Sequence, residues 1–270
     1  MAGSNSTGLM NQELGNKSTR DLLNGKIIWG YSGAIPVASG IYSAADAAET
    51  GTRVIRFTTA GATAKVAQVM RITPATAGTT GTWSVTVGKD TVIFTDDGIP
   101  SVAEVCAGLT NLLNVMAGGA ITTPPGVMNT DNNGVFTVTN NTTSVDVTSA
   151  VAGVPIEVSS SCTGAGNTLV TTTQTDNAYG IRFEPYSGVS GAILERKSGD
   201  TWSGEMLSDA VITHCRIQAD DDAGGLSTTL VRMQGQAATA NAEFVVSHTD
   251  GKTGETISVT LGEIYKDGAV

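Results

Sequence analysis

One helical pattern stands in a chain whose other apolar runs are short. Its apolar residues recur at steps of three and four: Val102, Val105, Cys106, Leu109, Leu112, Leu113 and Met116. This spacing predicts one amphipathic helix over 101–117, with Ser101 and Glu104 as a capping box at its start. Because parallel strands need crossover connections, usually helices, a chain with a single helix should form mainly antiparallel sheets.

The strand-like runs fall into two groups, which predicts two structural units. Lys26–Tyr31 and Thr52–Thr58 are rich in β-branched and aromatic residues, and Ala210–Ala219 alternates along its length. From Ala60 the composition becomes linker-like before new strands begin. We therefore predict a mainly β protein with three parts. They are an N-terminal arm (1–25), a β-sandwich or jelly-roll-like host domain (26–64 and 176–270) and an inserted α+β module with one helix (65–175).

Short motifs occur in a fixed order along the predicted host domain. They are Ser6-Thr7-Gly8-Leu9, Leu22-Leu23-Asn24-Gly25, Tyr31-Ser32-Gly33 with Pro36, Ala45-Asp46-Ala47-Ala48, Thr50-Gly51-Thr52, Trp202-Ser203-Gly204, Arg216, and Gly224-Gly225-Leu226-Ser227-Thr228-Thr229. This order resembles a family of tailed-bacteriophage virion structural proteins over 6–60 and 178–265. The chain departs from that pattern in the long spacer between Pro36 and Ala45 and in the insert.

The insert carries a second resemblance, to a small α+β module of phage tail and adhesin-like proteins. It is carried by Val85-Thr86-Val87-Gly88, Ala107-Gly108-Leu109 and Gly134-Val135-Phe136-Thr137. Such modules are displayed rather than catalytic. The two resemblances imply a capsid decoration or cement protein that binds the major capsid protein and copies of itself.

Charge and hydropathy bear on where such a protein would lie. The net charge of −10 disfavours nucleic acid and anionic membranes as partners, so we expect the outside of a virion assembled in the bacterial cytoplasm. We expect no membrane span, since no run of 18 apolar residues occurs, and no secretory signal, since the N-terminus lacks its pattern. The alternative is a tail or adhesion protein whose insert binds a host glycan, with Trp83 and Trp202 as candidate contacts.

The chemistry-bearing residues form no recognisable catalytic motif, so we expect neither an enzyme nor a cofactor. Gly-x-Ser-x-Gly, Walker, His-Glu-x-x-His and Rossmann patterns are absent from the sequence. His214 and His248 lie in strand patterns and are interpreted as structural. A hydrolase would need a carboxylate pair, for which the host half offers the following candidates: Glu195, Asp200, Glu205 and Asp209.

Two acidic clusters are weak calcium candidates in a chain for which we otherwise predict no metal. Asn129, Asp131 and Asn133 have the oxygen spacing of the start of a calcium loop, but Asn140 stands where the closing glutamate belongs. The other cluster is Asp220, Asp221 and Asp222. Solvated acidic turns remain the simpler interpretation of both.

The remaining candidate residues are the three cysteines and the apolar residues of the predicted arm. Cys106, Cys162 and Cys215 are an odd set without metal spacing, so we interpret them as buried free thiols, with a Cys106–Cys162 bridge as the alternative. The arm contains Leu9, Met10 and Leu14. These three are the predicted interface residues, which would bury on a neighbouring subunit if the arm reaches it.

Overall fold

The computed structural model describes residues 4–15, 18–40, 43–76, 78–96, 98–118, 122–123, 127–128, 135–184, 193–261 and 263–265. The chain divides into two compact units, one formed by 1–64 with 178–270 and the other by 65–177. The secondary structure is mainly β, which confirms the predicted class. Each unit has its own hydrophobic core.

The elements are given in chain order. The first part of the first unit contains β1 (Ser4–Asn5), α1 (Thr7–Leu14), α2 (Thr19–Leu23), β2 (Ile27–Ser32) and β3 (Thr52–Thr59). The second unit contains β4 (Val69–Thr76), β5 (Thr82–Val87), β6 (Asp90–Thr95), α3 (Val102–Ala117), β7 (Thr122–Thr123), β8 (Val127–Met128), β9 (Phe136–Asn140), β10 (Val145–Ser149), β11 (Val158–Cys162) and β12 (Thr168–Thr175). The first unit resumes with β13 (Ile193–Glu195), β14 (Trp202–Glu205), β15 (Ala210–Val211), β16 (His214–Gln218), β17 (Met233–Ala238), β18 (Phe244–Val246), β19 (Asp250–Gly251), β20 (Thr256–Leu261) and β21 (Glu263–Tyr265).

The main sheet of the first unit closes on itself as a seven-stranded barrel. Its strands follow the order β17-β16-β2-β3-β14-β20-β18, and β18 pairs again with β17. β1 extends the sheet as an extra strand on β17. The predicted sandwich or jelly-roll is therefore not the arrangement of this sheet: closure pairs both edges with each other, so one barrel replaces two facing layers.

A parallel pair closes the barrel, although the sequence predicted antiparallel pairing. β17 and β18 run parallel, with Ala237 opposite Phe244 and Ala238 opposite Val245. Parallel strands usually need a long crossover connection. Here only two residue pairs form, so a short loop is enough to bring the chain back beside β17. Glu243 in that loop lies against Gly235, where an added Cβ would come within 2.5 Å of the Glu243 Cβ.

The barrel interior is filled by apolar side chains from every wall. Ile28, Ile55 and Phe57 come from the neighbouring strands β2 and β3, and Trp202 comes from β14, which pairs with β3. The Trp202 ring is in edge-to-face contact with Phe183, with the ring centroids 5.2 Å apart. Gly204 allows β14 to approach β3, since a Cβ there would lie 2.0 Å from the Arg56 carbonyl oxygen. The Trp-x-Gly motif is thus explained by core packing and close strand contact.

Two further stretches of the first unit, for which the residue pattern predicts strands, do not form regular strands. Over Tyr179–Pro185 the described residues form only isolated bridges, at Tyr179 and Phe183, although Ile181 and Phe183 are buried in the barrel core. Over Ser227–Gln234, regular pairing begins only at Met233, because 219–232 forms a loop. The apolar pattern in both stretches reports burial rather than strand pairing.

The second unit packs α3 against two sheets. One sheet has the order β12-β4-β10-β9 and the other β11-β5-β6. The capping box at Ser101 and Glu104 is present, and Leu109, Leu113 and Met116 are buried in one core cluster with Trp83. Gly108 allows β6 to approach the helix, since a Cβ there would meet the Phe94 ring at 2.2 Å.

The predicted N-terminal arm is not a separate segment of the structure. β1 pairs with β17, with Ser4 opposite Gln234 and Asn5 opposite Met233. Leu9 is completely buried. The predicted arm is not free in this structure, because its first residues add a strand to the barrel of their own chain.

Candidate functional site

β16 presents polar side chains on one face and apolar side chains on the other. Cys215 and Ile217 belong to the barrel core. His214, Arg216 and Gln218 alternate with them and therefore lie on the outer face, yet all three are fully buried. The outer face of β16 must therefore be covered, and the long loops 33–51 and 219–232 supply the residues that contact it.

Glu49 from the first of these loops lies against two cations of β16. Its Oε1 is 3.0 Å from His214 Nε2, and its Oε2 is 3.4 Å from Arg216 Nη2. The Gly51 N–H donates to Glu49 Oε1 at 3.1 Å, and the Glu49 N–H donates to the Gly224 carbonyl at 2.7 Å. Burial would raise the pKa of Glu49, but the hydrogen bonds from His214 and Gly51 and the two positive charges outweigh it, so this pKa is lowered.

Hydrogen-bonding groups hold the His214 ring from two sides. The Thr213 hydroxyl lies 3.0 Å from Nδ1, and Glu49 Oε1 lies 3.0 Å from Nε2. The same hydroxyl lies 2.7 Å from the Gly33 carbonyl and 3.0 Å from that of Tyr31. The His214 ring is also stacked on the Tyr31 ring, with their centroids 5.2 Å apart.

A hydroxyl, a histidine and a carboxylate lie in line at this site: Thr213, His214 and Glu49. In a catalytic triad the histidine accepts the proton of the nucleophile. Here two backbone carbonyls, 2.7 and 3.0 Å from the Thr213 hydroxyl, compete with His214 Nδ1 for that proton. The contacts fasten the loop 33–51 to β16.

A second ion pair anchors the loop 219–232. Arg232 donates from Nε and Nη2 to the two carboxylate oxygens of Asp222, each at 2.6 Å, and from Nη1 to the Gly225 carbonyl at 2.7 Å. The Gly224 N–H donates to Asp222 Oδ1 at 2.8 Å. Burial would raise the pKa of Asp222, but these hydrogen bonds and the charge of Arg232 lower it overall.

Uncharged groups and Arg53 connect the two ion pairs. Tyr31 donates to Gln218 Oε1 at 3.2 Å, and Gln218 Nε2 donates to the Asp222 carbonyl at 2.9 Å. Arg53 donates from Nε to the Tyr31 hydroxyl at 3.3 Å and from Nη2 to the same Asp222 carbonyl. On the other side, Arg216 Nε donates to Gln234 Oε1 at 3.0 Å. We call this set the buried polar network: Tyr31, Glu49, Arg53, His214, Arg216, Gln218, Asp222, Arg232 and Gln234.

The N-terminal segment, residues 4–14, docks beside this network through Ser6. Ser6 caps α1 by accepting from the Leu9 N–H at 3.1 Å. The same hydroxyl donates to the Leu230 carbonyl at 2.8 Å and accepts from the Arg232 N–H at 2.9 Å. One buried serine therefore joins the helix to the loop that carries Arg232.

Thr7 and Gly8 complete the docking. Thr7 donates from its N–H and its hydroxyl to the two oxygens of Asp46, at 2.9 and 2.6 Å. Asp46 is itself fully buried. Gly8 lies directly against the backbone of the receiving loop, since an added Cβ would come within 2.4 Å of the Leu230 carbonyl oxygen. The Ser6-Thr7-Gly8-Leu9 motif therefore describes a docking sequence.

The docking of the N-terminal segment leaves one of the three predicted interface residues buried and the other two exposed. Leu9 is completely buried within its own chain, so this structure does not place it at a contact with a neighbour. Met10 is 42% exposed and Leu14 is 84% exposed. These two remain candidates for contacts between molecules.

The calcium candidates are not brought together where the structure describes them. Arg232 occupies both oxygens of Asp222, Asp220 accepts from the Tyr179 hydroxyl at 2.7 Å, and Asp221 is exposed. Among the described residues, no group of three His, Cys, Asp or Glu side chains could hold a metal ion. Asn129, Asp131 and Asn133 lie outside the described residues.

The other candidate residues have structural partners. Trp83 and Trp202 are buried in the cores and so offer no exposed ring to a glycan. Asp200 pairs with buried Arg182, and Asp209 accepts from the Thr253 N–H at 2.9 Å. All three cysteines are free: Cys106 and Cys215 are buried, and burial raises the pKa of both thiols, whereas Cys162 is half-buried.

Sequence reasoning did not single out Glu49 or Gln234 as partners of β16, or Arg232 as the partner of Asp222. A signal was available: in a chain with only 15% charged residues, His214, Arg216 and Gln218 alternate on one face of a strand. Such a polar row must face water or a partner set of polar groups. The identity of those partners depends on the loops and not on local spacing.

Comparison with known proteins adds no family to this description, so a function has to be argued from the contacts above. The chain matches no protein-family model and no curated protein. Within the described part of the chain, no helix combines the length and the apolar character needed to cross a bilayer.

Proposed function

We propose that this protein is a structural component of a tailed-phage virion. The proposal rests on one observation: the short motifs that carry the family resemblance lie far apart in the sequence but contact one another in the structure. The Ser6–Leu9 motif docks on Asp46, the Ser227 N–H donates to the Asp46 carbonyl at 3.0 Å, and Arg216 Nη2 donates to the Ala47 carbonyl at 3.3 Å. The motifs that carry the resemblance therefore hold together the N-terminal and C-terminal parts of the chain that form the barrel. Such contacts are expected for a structural domain that related proteins have in common.

Its proposed role is that of a capsid decoration protein that binds and stabilises the major capsid shell from outside. Two features support this role. The net charge of −10 disfavours contact with packaged DNA. Apolar side chains are also exposed on the segments around the docked N-terminus, namely Met10, Ile35, Val37, Leu226 and Leu230. Such side chains offer contact area to the shell and to other copies.

The buried polar network supports a structural role rather than an enzymatic one. Its two carboxylates, Glu49 and Asp222, lie against His214 and Arg216 and against Arg232, and backbone carbonyls and uncharged side chains complete the contacts. A network of this kind fixes the two loops on the barrel. We therefore propose that it sets the shape of the binding surface.

A second candidate function, glycan binding by the insert, is favoured by one surface. The outward side chains of β5, β6 and β11 and the residue that follows β11 form three rows across the sheet: Ser159-Thr86-Thr91, Ser161-Ser84-Ile93 and Thr163-Thr82-Thr95. Hydroxyl pairs join them at 2.8 Å, between Thr86 and Thr91 and between Thr82 and Thr163. A face of hydroxyl groups suits hydrogen bonding to a sugar surface.

Particles that lack this protein provide the test. We expect such particles to lose DNA at a lower temperature or a milder osmotic shock than complete particles, and purified protein added back should restore retention. Antibody labelling should place the protein on the head. Unchanged DNA retention would contradict the decoration role, and labelling of the tail would favour the glycan-binding alternative.

A further inference from the structure

The N-terminal segment is held on the barrel by residues that are distant in the chain. β1 pairs with β17, Ser6 bonds to Leu230 and Arg232, and Thr7 bonds to Asp46. Leu9 adds a fully buried apolar anchor. The segment therefore binds as a short peptide would, in a site that the rest of the barrel forms.

We propose that this segment is exchanged between copies, so that residues 4–14 of one copy dock on β17 and the 219–232 loop of a second copy. The exchanged contacts are the same as the internal ones, so exchange loses little contact energy, as in domain swapping. The register would again place Ser4 opposite Gln234 and Asn5 opposite Met233. The partner that the site fits is thus another molecule of this chain.

Concentration decides between internal docking and exchange. A short tether gives its own segment an effective concentration on the order of 1 mM. In dilute solution the internal arrangement therefore prevails. Exchange becomes comparable when copies are held at similar local concentrations, as neighbours on a particle surface would be.

The connection to the rest of the chain restricts how two exchanging copies can lie. α1 ends with Gly15 as its C-cap, and Ser18 caps α2. Three residue steps span at most about 11 Å, so the two barrels must touch. The exposed Met10 and Leu14 on the segment and Leu230 on the receiving loop then come to the contact between copies.

This inference rests on the proposed function only for its setting, which is neighbouring copies on a particle surface. Exchange itself can be measured in solution. Asn5→Cys is made in one copy that carries a mass tag, and Met233→Cys in another, both with Cys162→Ser to remove the half-buried native thiol. The two are mixed from about 10 µM to about 1 mM, a range that brackets the effective concentration of the tether. Disulfides are then trapped and mapped.

We expect a mixed disulfide between positions 5 and 233 whose yield rises at least tenfold over this range. The double variant in one chain should form the same bond internally, which shows that the geometry is competent. Absence of the mixed disulfide at the highest concentration, with the internal bond complete, would overturn the proposal.

Sedimentation of the chain with its native residues at positions 5 and 233 tests exchange independently, in case the engineered disulfide does not form. Exchange predicts a dimer near 1 mM, the effective concentration of the tether, and this dimer should be lost when residues 1–14 are removed. A monomer at every concentration, or a dimer that forms equally well without residues 1–14, would overturn exchange. Neither outcome bears on particle binding, so the proposed function stands or falls separately.

Discussion

Glu49 and His214 form a buried ion pair in which Oε1 and Nε2 are 3.0 Å apart, with side chains 5% and 0% exposed. The same two residue types meet at the same distance in Glu255 and His248, where the side chains are 42% and 37% exposed. One protein therefore contains a buried and an exposed example of one ion pair. The two pairs differ in burial and in hydrogen bonding, since His214 Nε2 is hydrogen-bonded to Glu49 whereas His248 Nε2 lacks hydrogen-bond geometry to Glu255.

The buried pair should make stability fall in acid. The folded-state pKa of Glu49 is lowered, so its contribution is fully present above its unfolded-state pKa, about 4.3. It is lost as the pH falls from there through the folded-state value. We expect the free energy of unfolding in urea to decrease over this window, with Asp222 adding to the loss because its pKa is also lowered.

Glu49→Gln should lower the free energy of unfolding at neutral pH by roughly 3–5 kcal/mol, because it leaves His214 and Arg216 buried without their anion. It should also flatten the acid dependence. The matched Glu255→Gln change at the exposed pair should cost only about 0–1 kcal/mol. Equal losses from the two variants in urea unfolding would contradict the inferred role of the buried pair.

Gly8→Ala should detach the N-terminal segment. The added Cβ would lie 2.4 Å from the Leu230 carbonyl oxygen, and a backbone atom cannot move aside as a flexible side chain can. Overpacking of this kind costs about 1–3 kcal/mol, which we expect to exceed the gain of about 1 kcal/mol in helix propensity. Thermal unfolding and proteolysis at the N-terminus would measure the effect.

Gly15→Ala is the control for that variant, because its Cβ would lie an ordinary 3.4 Å from the Gln12 carbonyl oxygen. It should leave both the melting temperature and the proteolysis pattern close to those of the unmodified protein. An unchanged pattern in Gly8→Ala would show that the segment does not need its close approach to the receiving loop.

The helix and the mainly β class could be predicted because they follow from local patterns. The capping box at Ser101 and Glu104 and the apolar stripe each lie within one helix. β12 was missed because its run Thr168–Thr175 is mostly threonine and carries no apolar alternation. Barrel closure depends on the contact of β17 with β18, which no local pattern contains.

The buried polar network could be predicted only in part, for the same reason. Alternation placed His214 and Arg216 on one face of a strand, but not which side of that strand is covered. Glu49 lies 165 positions from His214, and its position follows from how the loop 33–51 folds over the barrel. Leu9 shows the opposite error: the sequence predicted burial on a neighbouring subunit, whereas Leu9 is completely buried within its own chain.

Asp222→Asn should destabilise the protein equally with and without calcium. Arg232 uses both carboxylate oxygens, so the substitution breaks a buried pair at a cost of roughly 3–5 kcal/mol. Melting temperatures in calcium and in chelator would test this. A calcium-dependent shift that Asp222→Asn removes and Asp131→Asn does not would revive calcium binding at 220–222.

Leu109→Ala should destabilise the second unit by roughly 2–5 kcal/mol, because Leu109 is fully buried in its core cluster. Val115 lies on the same helix and is 44% exposed. Val115→Ala should therefore change the free energy of unfolding by no more than about 0.5 kcal/mol. Similar losses from both variants would contradict the assignment of the buried face of α3.

Removal of 65–177 should leave a folded barrel. The Thr59 N–H donates to the Tyr179 carbonyl at 3.1 Å, so the chain leaves and re-enters the first unit at neighbouring positions. A short Gly/Ser linker from Ala64 to Ala178 can therefore join them without strain. The seven barrel strands, the buried polar network and the docked N-terminal segment all lie outside the excised residues. We expect one cooperative unfolding transition and a β-type circular dichroism spectrum. A broad, non-cooperative transition, with the complete chain unfolding sharply under the same conditions, would show that the barrel depends on the insert.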